Sequence, residues 1–468
     1  MTLRSAILLC AALSSAAAIA QQPAPSPSQP QSWTVRPEWV RAHEEFLASD
    51  ALAGRGSGTR DEEIAATYVA TQFESYGLVH TPGMSSYIQA AGLESIQLDG
   101  KATLSSGPVI LTEGPDFDLL LSSGGSASGL LMRVAVADVK TAKVPAGSAV
   151  LLTGANDPGS AFQAYRQLNQ SKPALILMAA TPGLSSLLAM LGGKTRTPIH
   201  LTGDADSARS GNLALVRFAD KLPADGATIS LTVHALPQAS RQTYNAIGYL
   251  PGTDPKAGTI LLSAHLDHLG VGRPVNGDDI YNGADDDAAG TTAVLELAHA
   301  LAAGPRTHRS VLFVCYGSEE LGLLGSRYFG EHPPIPISDI IANLEFEMIG
   351  TQDPKMPKGV LLLTGWDRSN FGPTLKERGA LIGPDPYPEQ HFFERSDNYS
   401  LALDGVVAHT AAGWGTPPTY HQPNDDLDHL DLNFMTAAIQ SLVEPVRWLA
   451  ASDFRPAWNP GGAPQRGK

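Results

Sequence analysis

After Asn245, short apolar runs alternate with segments that have helical periodicity. Almost wholly apolar runs of this length are typical of strands in a parallel sheet whose two faces are both covered. The predicted strands are 259–264, 310–316, 340–346, 359–363 and 405–408. A helix that begins near Gly290 and ends at Gly304 follows the first of them. The pattern predicts an α/β fold with a mixed, mostly parallel central sheet and helices on both faces.

Upstream of this region the residue pattern of the chain changes twice. A capping pattern, Thr59 followed by Glu62, predicts a helix that closes near Gly77. From 93 to 238 the sequence is rich in Gly, Ser and Ala, with apolar runs at 119–121, 149–152, 174–178 and 229–233. We interpret this stretch as a small β-rich domain, inserted between the helix and the later sheet.

The first residues have the pattern of a secretory signal peptide. Arg4 precedes an apolar run at 6–13, and the small residues Ala18 and Ala20 form a cleavage site. Residues 21–32, rich in Pro, Gln and Ser, are expected to be a flexible linker. No later apolar stretch reaches the roughly 20 residues of a membrane span. We therefore expect a soluble product that is secreted or periplasmic after removal of the signal peptide.

Charge and cysteine content narrow the classes of function. The 468 residues have a formal net charge of −15. An acidic balance argues against nucleic acid as a partner and fits cationic ligands such as metal ions. Without the signal peptide, Cys315 is the one remaining cysteine, so no internal disulfide is expected. It lies inside a predicted strand and is expected to be a packed thiol.

Carboxylates and imidazoles recur just after the predicted strands. His265 and Asp267 follow the first strand, and three aspartates, Asp285 to Asp287, stand in the next loop. The carboxyl ends of such strands border the crevice in which open α/β sheets bind ligands. Carboxylate oxygens and imidazole nitrogens are zinc ligands. An aspartate shared between two metals would hold them about 4 Å apart.

Six motifs stand in order along this region of the chain: His265-Leu266-Asp267, residues 283–290, Glu319-Glu320 with 321–326, residues 343–350, Arg395-Ser396-Asp397, and His421 with Pro423 and Asp425. Together they resemble the co-catalytic di-zinc aminopeptidases. Glutamate carboxypeptidase and the animal glutaminyl cyclases share the fold of that family. The middle stretch resembles a protease-associated domain.

The resemblance implies two zinc ions per chain. It makes Asp286 the bridging ligand, with His265 and Glu347 on one zinc and Glu320 and His421 on the other. The catalytic carboxylates are then Glu319, as general base, and Asp267, which would orient the ring of His265. A cis peptide bond between Asp286 and Asp287 is also implied.

Two residues depart from the family pattern. Glu347 stands where an aspartate is usual, and Asn398 stands where many members have histidine. Other histidines, namely His268, His391, His409 and His429, are expected to be hydrogen-bonded or surface residues.

These patterns and the resemblance together divide the chain into a signal peptide (1–20), a linker (21–32), a first segment of the catalytic domain (33–92), a protease-associated-like insert (93–238), a second segment of the catalytic domain (239–454) and a C-terminal tail (455–468).

The sequence thus predicts an exported zinc aminopeptidase that acts on peptides with a free amino terminus. Glu319 and Glu347 supply negative charge for an α-ammonium, whereas a carboxypeptidase needs a cationic clamp. Arginines are sparse near the motifs, with Arg273, Arg327 and Arg395 as candidates. A same-fold carboxypeptidase, a glutaminyl cyclase and a non-catalytic binding protein stay as alternatives. An apolar pocket for the first side chain is expected from Met348, Phe392, Phe393 and Tyr399. No feature sets the oligomeric state.

Overall fold

The computed structural model describes residues 33–184, 187, 193–204, 211–254 and 256–465. The predicted signal peptide and linker lie outside these residues. Contacts divide the chain into two units, Met1–Trp33 and Thr34–Lys468. No helix in the described regions of the chain is both long and apolar enough to cross a membrane.

The strands of the described residues are, in chain order, β1 (Ile88–Glu94), β2 (Ile96–Leu98), β3 (Thr103–Ser106), β4 (Val109–Thr112), β5 (Phe117–Leu121), β6 (Gly125–Ala135), β7 (Ala149–Thr153), β8 (Leu175–Ala179), β9 (His200–Leu201), β10 (Asn212–Val216), β11 (Thr228–Val233), β12 (Ala235–Pro237), β13 (Arg241–Leu250), β14 (Thr259–His265), β15 (Gly270–Val275), β16 (Asp278–Tyr281), β17 (Ser310–Tyr316), β18 (Ile340–Glu347), β19 (Leu361–Leu363), β20 (Ile382–Pro384) and β21 (Val407–Ala412). The α-helices are α1 (Pro37–Leu47), α2 (Arg60–Ser75), α3 (Pro158–Asn169), α4 (Gly290–Ala302), α5 (Leu324–Glu331), α6 (Phe371–Glu377), α7 (Asn398–Leu403) and α8 (Leu432–Ala451).

The main sheet has the strand order β20-β19-β21-β18-β14-β17-β13-β1-β9. Its centre is parallel, because β14 pairs in parallel with both β17 and β18, and β18 pairs in parallel with β21. Antiparallel pairs flank this centre, since β13 runs against β17 and β19 against β21. Every residue of β14 and β17 is buried, as their apolar sequences predict. The mixed sheet expected from the sequence is confirmed.

Helices cover both faces of the parallel centre. Leu261 and Leu312 pack in one cluster with Phe329 of α5 and Leu401 of α7. Phe313, whose side chain points to the opposite face from that of Leu312, packs against Phe73 of α2 with ring centroids 6.1 Å apart. The helix α4 also contacts β14 and β17 and is itself covered by α8. The strand ends are therefore held between two helical layers.

Glu62 connects α2 to the main sheet. Thr59 caps this helix as predicted, accepting from the backbone N–H of Asp61 at 3.2 Å. The carboxylate of Glu62 instead accepts hydrogen bonds from Thr243 Oγ1 at 2.5 Å and from the backbone of Tyr244 at 2.9 Å, both on β13. Burial, followed by the charge of Asp267, raises the pKa of Glu62 to about 8. Glu62, the acidic residue of the predicted capping pattern, thus anchors α2 to the main sheet.

A second sheet is built from the middle of the chain. Its strand order is β4-β3-β11-β6-β7-β8-β10-β5, so it uses strands between Thr103 and Val233. These strands lie inside the predicted insert of 93–238. The short strand β9, from the same stretch, pairs with β1 and so belongs to the main sheet. The division into separate domains stays a prediction.

Candidate metal centre

The proposed ligands meet at the carboxyl ends of the central parallel strands. His265 and Glu347 are the last residues of β14 and β18. Glu320 follows β17, and Asp286 lies in the irregular helical turn Ala284–Ala289 that precedes α4. His421 comes from the loop between β21 and α8. The structure thus brings all five predicted ligands to one site.

Asp286 faces two imidazoles with its two different oxygens. Its Oδ1 lies 3.2 Å from His265 Nε2, and its Oδ2 lies 3.2 Å from His421 Nε2. Glu347 Oε1 is 3.3 Å from His265 Nε2, and Glu320 Oε1 is 3.3 Å from His421 Nε2. Asp286 therefore stands between two imidazole–carboxylate groups.

These distances fit zinc. Two ligand atoms that are each about 2.0–2.1 Å from a tetrahedral ion lie about 3.3–3.4 Å from each other. The four contacts at 3.2 and 3.3 Å are close to that separation. The Nε2 atom of His265 also faces two carboxylates at once, whereas one imidazole N–H serves one acceptor well. The donor set and its spacing are therefore those of a metal site.

The ionisable groups of the site shift one another's pKa. Burial by itself would raise the pKa of Asp286, but His268, His265 and His421 together hold it well below its usual range. Burial, followed by the charges of Glu320 and Glu347, raises the pKa of Glu319 well above its usual range, against the effect of His265. A divalent ion beside these groups would favour the ionised form of Glu319 and lower its pKa.

Buried aspartates hold the loop that carries Asp286. The carboxylate of Asp425 accepts from the backbone N–H groups of Asp285 and Asp286 at 2.9 and 3.0 Å. Asp287 accepts from the backbone of Met348 at 3.0 Å, and so links this loop to the end of β18. The Asp286–Asp287 peptide bond is cis, as the resemblance implied.

Asp267 supports the loop of the two glutamates more closely than it supports His265. Its carboxylate accepts from the backbone N–H of Glu319 at 3.0 Å and of Glu320 at 3.4 Å. The Nδ1 atom of His265 lies 3.2 Å from the carbonyl oxygen of Asp267 and 3.7 Å from its carboxylate. The ring of His265 is thus hydrogen-bonded to the backbone carbonyl of Asp267 and not to its carboxylate.

Three residues at the site have left-handed backbone angles that L side chains rarely adopt. The φ angles are 50° for Ser318, 51° for Met348 and 55° for His421. Ser318 precedes the two glutamates, and Met348 follows Glu347. Such conformations cluster at functional sites, where the surrounding structure enforces them.

Arg55 is a buried residue of the site that sequence reasoning missed. Its guanidinium donates to the carbonyl oxygens of Leu266 at 2.9 Å, Asn282 at 2.6 Å and Gly283 at 2.8 Å. A fourth bond reaches the carbonyl of Leu47 at 2.5 Å. Arg55 therefore ties the turn after β14 to the loop of the aspartates. A single arginine between two glycines gave no signal of this role.

His268 is the second missed residue. It is fully buried, and its Nδ1 lies 2.8 Å from Glu320 Oε1 and 3.9 Å from Asp286 Oδ1. The signal available in the sequence was its position directly after Asp267. The other three histidines lie outside the site. His391 is exposed, His429 contacts Asp426 at 2.7 Å, and His409 is hydrogen-bonded by Ser369 at 2.7 Å and to the Thr364 carbonyl at 2.8 Å.

Two depressions adjoin opposite ends of the ligand set. A small pocket of about 50 Å³ borders Glu347 and is lined by Met348, Phe392, Arg395 and Tyr420. A groove of about 410 Å³ borders Glu320 and His268, with Ile199, Arg241, Leu269 and Val271 along its walls. Phe393 and Tyr399, also expected in the pocket, pack together in the core with ring centroids 6.0 Å apart.

Asn398, the departure from the family pattern, has a structural role. Its side-chain amide donates to the carbonyl of Phe393 at 3.2 Å and its oxygen accepts from Thr410 Oγ1 at 2.8 Å. The residue is fully buried, and both of its functional groups are used inside the fold.

The motifs and the fold point to one family. Residues 245–444 match the model described as Peptidase family M28. The chain therefore contains a peptidase family M28 domain. The resemblance drawn from the motifs is confirmed. The matched segment spans β14, β17, β18 and β21, which carry or adjoin the proposed ligands.

The chain has curated relatives of partial similarity. Leupeptin-inactivating enzyme 1 from Streptomyces exfoliatus is 29% identical over 187 residues, which cover 39% of this chain and 40% of that protein. The chain spans about two fifths of the length of the first curated relatives it matches, with shares of 40%, 43% and 38%.

Solved structures agree with the fold along most of the chain. An aminopeptidase from Aneurinibacillus sp. strain AM-1 has a TM-score of 0.55 at 20% identity, covering 92% of this chain and 98% of that one. A zinc aminopeptidase from Bacillus subtilis has a TM-score of 0.51 at 19% identity, covering 89% and 95%. At these identities the likeness shows the fold alone.

Proposed function

We propose that this protein is an exported, zinc-dependent aminopeptidase that removes amino-terminal residues from peptides. The observation that carries the proposal is the placement of Asp286, a buried carboxylate between two imidazole–carboxylate groups. Membership of the M28 domain in a peptidase family supports the reaction class. The signal-peptide pattern supports export.

His265, Asp286 and Glu347 would hold one zinc ion, and Asp286, Glu320 and His421 the other. When bound, the two ions polarise water and the scissile carbonyl and stabilise the developing oxyanion. The five side chains would hold the two ions close together, because Asp286 belongs to both ligand sets. His265 and Asp286 are buried away from bulk water, whereas Glu347 and His421 are partly exposed and border the space that a substrate would enter.

Glu319 would act as general base and then as general acid. It adjoins Glu320, and its backbone is fixed through the carboxylate of Asp267. Its side chain would accept a proton from the attacking water and then donate a proton to the leaving amine. No covalent intermediate is needed, because water is the nucleophile.

The two depressions favour attack at a chain end. The pocket beside Glu347 is much smaller than the groove beside Glu320, so the pocket would face the first residue and the groove would take the rest of a peptide. Glu319 and Glu347 supply the negative charge that an α-ammonium group requires. Met348 and Phe392 make the pocket wall apolar, so we expect apolar residues at the amino terminus.

One observation favours a second candidate, a carboxypeptidase. Arg395 lines the small pocket and could contact a terminal carboxylate. Among the described residues, however, it is the one arginine or lysine that lines this pocket, and the guanidinium of Arg327 contacts Asp204 at 2.5 Å. The carboxylate of Glu347, which borders the same pocket, favours the aminopeptidase.

A matched peptide series tests the proposal. The substrates are Leu-Ala-Ala-Phe with a free amino terminus, its amino-acetylated form and its carboxy-amidated form, with release of amino acids followed by mass spectrometry. We expect loss of leucine from the free and amidated peptides and none from the acetylated one. The variant Glu319→Gln, assayed at equal zinc content, controls for contaminating peptidases.

The other outcomes each point to a different function. Release of phenylalanine from the acetylated peptide would show a carboxypeptidase. Ammonia release from amino-terminal glutamine without peptide cleavage would show a glutaminyl cyclase. Zinc binding without any turnover of these peptides would leave the protein as a binding protein.

A further inference from the structure

His268 and Glu320 form a close buried contact that is not a hydrogen bond. Their atoms Nδ1 and Oε1 are 2.8 Å apart. Among the described residues, neither ring nitrogen of His268 has a hydrogen-bond partner, and neither has Glu320 Oε1. Buried polar groups left without partners are costly and require an explanation. At 2.8 Å the two atoms are closer than two ligands of an ideal tetrahedral zinc, and a cation that both atoms face would account for their approach without the alignment of a hydrogen bond.

The position of that partner follows from the surrounding ligand atoms. One ligand atom each from His268, Asp286 and Glu320 can be chosen so that all three lie within 4.8 Å of one another. His421 Nε2 approaches the same Glu320 Oε1 at 3.3 Å. The rings of His268 and His421 have centroids 5.6 Å apart and stand at 72° to each other. Two imidazoles thus approach the same carboxylate oxygen from different directions.

The fold leaves the His268 ring little freedom to leave this position. A Cβ placed on Gly283, whose φ is +60°, would lie 2.5 Å from His268 Cγ, so the ring rests directly on this glycine. The backbone N–H of His268 donates to the carbonyl of Arg55 at 3.1 Å. The imidazole is therefore fixed in place, as a preorganised ligand should be.

We propose that His268 is a fourth protein ligand of the second metal, together with Asp286, Glu320 and His421. The inference rests on the proposed function, because it assumes that metal ions occupy the site. The ligand set taken from the family resemblance contains no residue at this position. His265, Asp286 and Glu347 then leave the first metal with three protein ligands.

The proposal makes the two metal positions unequal. Four protein ligands complete a tetrahedral zinc site, as in structural sites, whereas three leave a position open for water or substrate, as in catalytic sites. The second metal should therefore bind first and more tightly. The first metal should exchange more readily and be the one that activates water.

Cobalt spectroscopy of a cysteine variant tests the assignment directly. In His268→Cys the sulfur takes the place of Cγ of the imidazole, one bond short of Nδ1, and a metal–sulfur bond of about 2.3 Å, against about 2.0–2.1 Å for nitrogen, makes up part of the difference. If this position binds metal, one equivalent of Co²⁺ should give a thiolate-to-cobalt charge-transfer band in the near ultraviolet. The wild type should lack the band, since Cys315 is buried in β17. Absence of the band from a folded His268→Cys variant overturns the proposal.

Zinc affinity gives a second measurement that does not depend on cysteine. His268→Gln should weaken the tighter of the two zinc sites by at least about 10-fold in a chelator competition. Mutating a residue that only supports a metal ligand already costs about 10–100-fold in affinity. His409→Gln is the matched control, because His409 is equally buried but lies outside the site. Circular dichroism of the metal-free proteins checks folding. Unchanged affinity at both sites in His268→Gln would overturn the proposal.

The peptide assay separates the failure of this inference from that of the proposed function. A wild type that cleaves the free peptides while His268→Cys shows no band refutes the His268 ligand alone. A wild type that shows the predicted metal behaviour but cleaves none of the peptides refutes the proposed activity alone. A wild type that binds no zinc overturns the four-ligand site, whatever the peptide result.

Discussion

The carboxylate of Asp267 accepts a hydrogen bond from the backbone N–H of Glu319, with 3.0 Å between Oδ1 and the nitrogen. The bond fixes the backbone of the proposed general base. Asp267→Asn removes the charge and can turn an amide N–H toward this donor. We expect kcat to fall by about 10–100-fold, the usual effect of losing an outer-shell partner, while the zinc content stays unchanged. Steady-state kinetics with elemental analysis of the same sample measure both.

A nearby variant serves as the control for that experiment. Ser57 Oγ donates to the other oxygen of Asp267 at 2.5 Å, and Ser57→Ala removes this single bond without changing the charge of the carboxylate. Its loss of kcat should be smaller. A wild-type kcat in Asp267→Asn would contradict the role of Asp267 in positioning Glu319.

Replacing Glu319 should lower kcat, whereas replacing Glu320 should weaken zinc binding. Glu319→Gln should retain two zinc ions and lose about 10²–10⁴-fold in kcat, the range of general acid–base catalysis. Glu320→Gln should instead weaken zinc binding, because Glu320 Oε1 contacts two imidazoles. Zinc stoichiometry by elemental analysis separates the two effects. If Glu319→Gln lost its metals and Glu320→Gln kept them, the roles would be exchanged.

Glu44 should make the stability of the protein depend on pH. Its carboxylate is fully buried and accepts from Thr292 Oγ1 at 2.7 Å, and burial raises its pKa from 4.5 to about 8. Between these two values the folded state keeps a proton that the unfolded state releases. Stability should therefore fall as pH rises through this window, by up to about 1.4 kcal/mol per pH unit, and level off above it.

The variant Glu44→Gln isolates this effect, because it keeps an acceptor for Thr292 and cannot ionise. Its free energy of unfolding minus that of the wild type should increase from pH 5 to pH 8. Urea denaturation at fixed zinc concentration measures both proteins at each pH. Curves that stay parallel across the window would show that Glu44 titrates normally in the folded state.

Arg55 should contribute mainly to the rigidity of the loops. Arg55→Met removes donors from four carbonyl oxygens in a fully buried position. An unsatisfied buried polar group costs about 1–3 kcal/mol, so the loss of stability should exceed about 3 kcal/mol. Arg306→Met is a suitable comparison, because Arg306 also donates to backbone carbonyls, those of Pro251 and Gly252, in a more exposed position. An equal, small loss in both variants would contradict the structural role.

Removal of zinc should lower stability as well as activity. A ligand that binds the folded state alone, at about 1,000 times its dissociation constant, stabilises by about 4.1 kcal/mol. We expect a chelator to lower Tm and abolish activity, and added Zn²⁺ to restore both. Mg²⁺ should not, because it prefers oxygen ligands to imidazole. In Asp286→Ala the chelator should change Tm little, since Asp286 contacts both imidazole groups. A decrease in Tm as large as that of the wild type would refute its bridging role.

Strand periodicity predicted which residues follow the central strands, and the family resemblance indicated which of them are ligands. His265 and Glu347 terminate two buried runs that are adjacent in the sheet, so their approach follows from the parallel order. His421 was placed by the family motif, since its loop has no periodicity that could position it.

Arg55 and His268 could not be found in the same way. Arg55 acts on carbonyls that lie 211 to 228 residues away, and any L-residue has a carbonyl, so no side-chain pattern marks the partners. The position of His268 depends on how the chain turns after β14 and on the space left by Gly283. These are properties of three-dimensional packing.

The pairing of β9 with β1 has a consequence for shortened forms of the protein. The two-residue strand His200–Leu201 covers Leu93 and Glu94 at the border of the main sheet. Deleting residues 95–238 would uncover the backbone N–H and C=O groups at this end of β1. Exposed edges of this kind recruit strands from other molecules. The middle region therefore shields the sheet from edge-to-edge aggregation, and truncated forms without it should be less soluble than the intact protein.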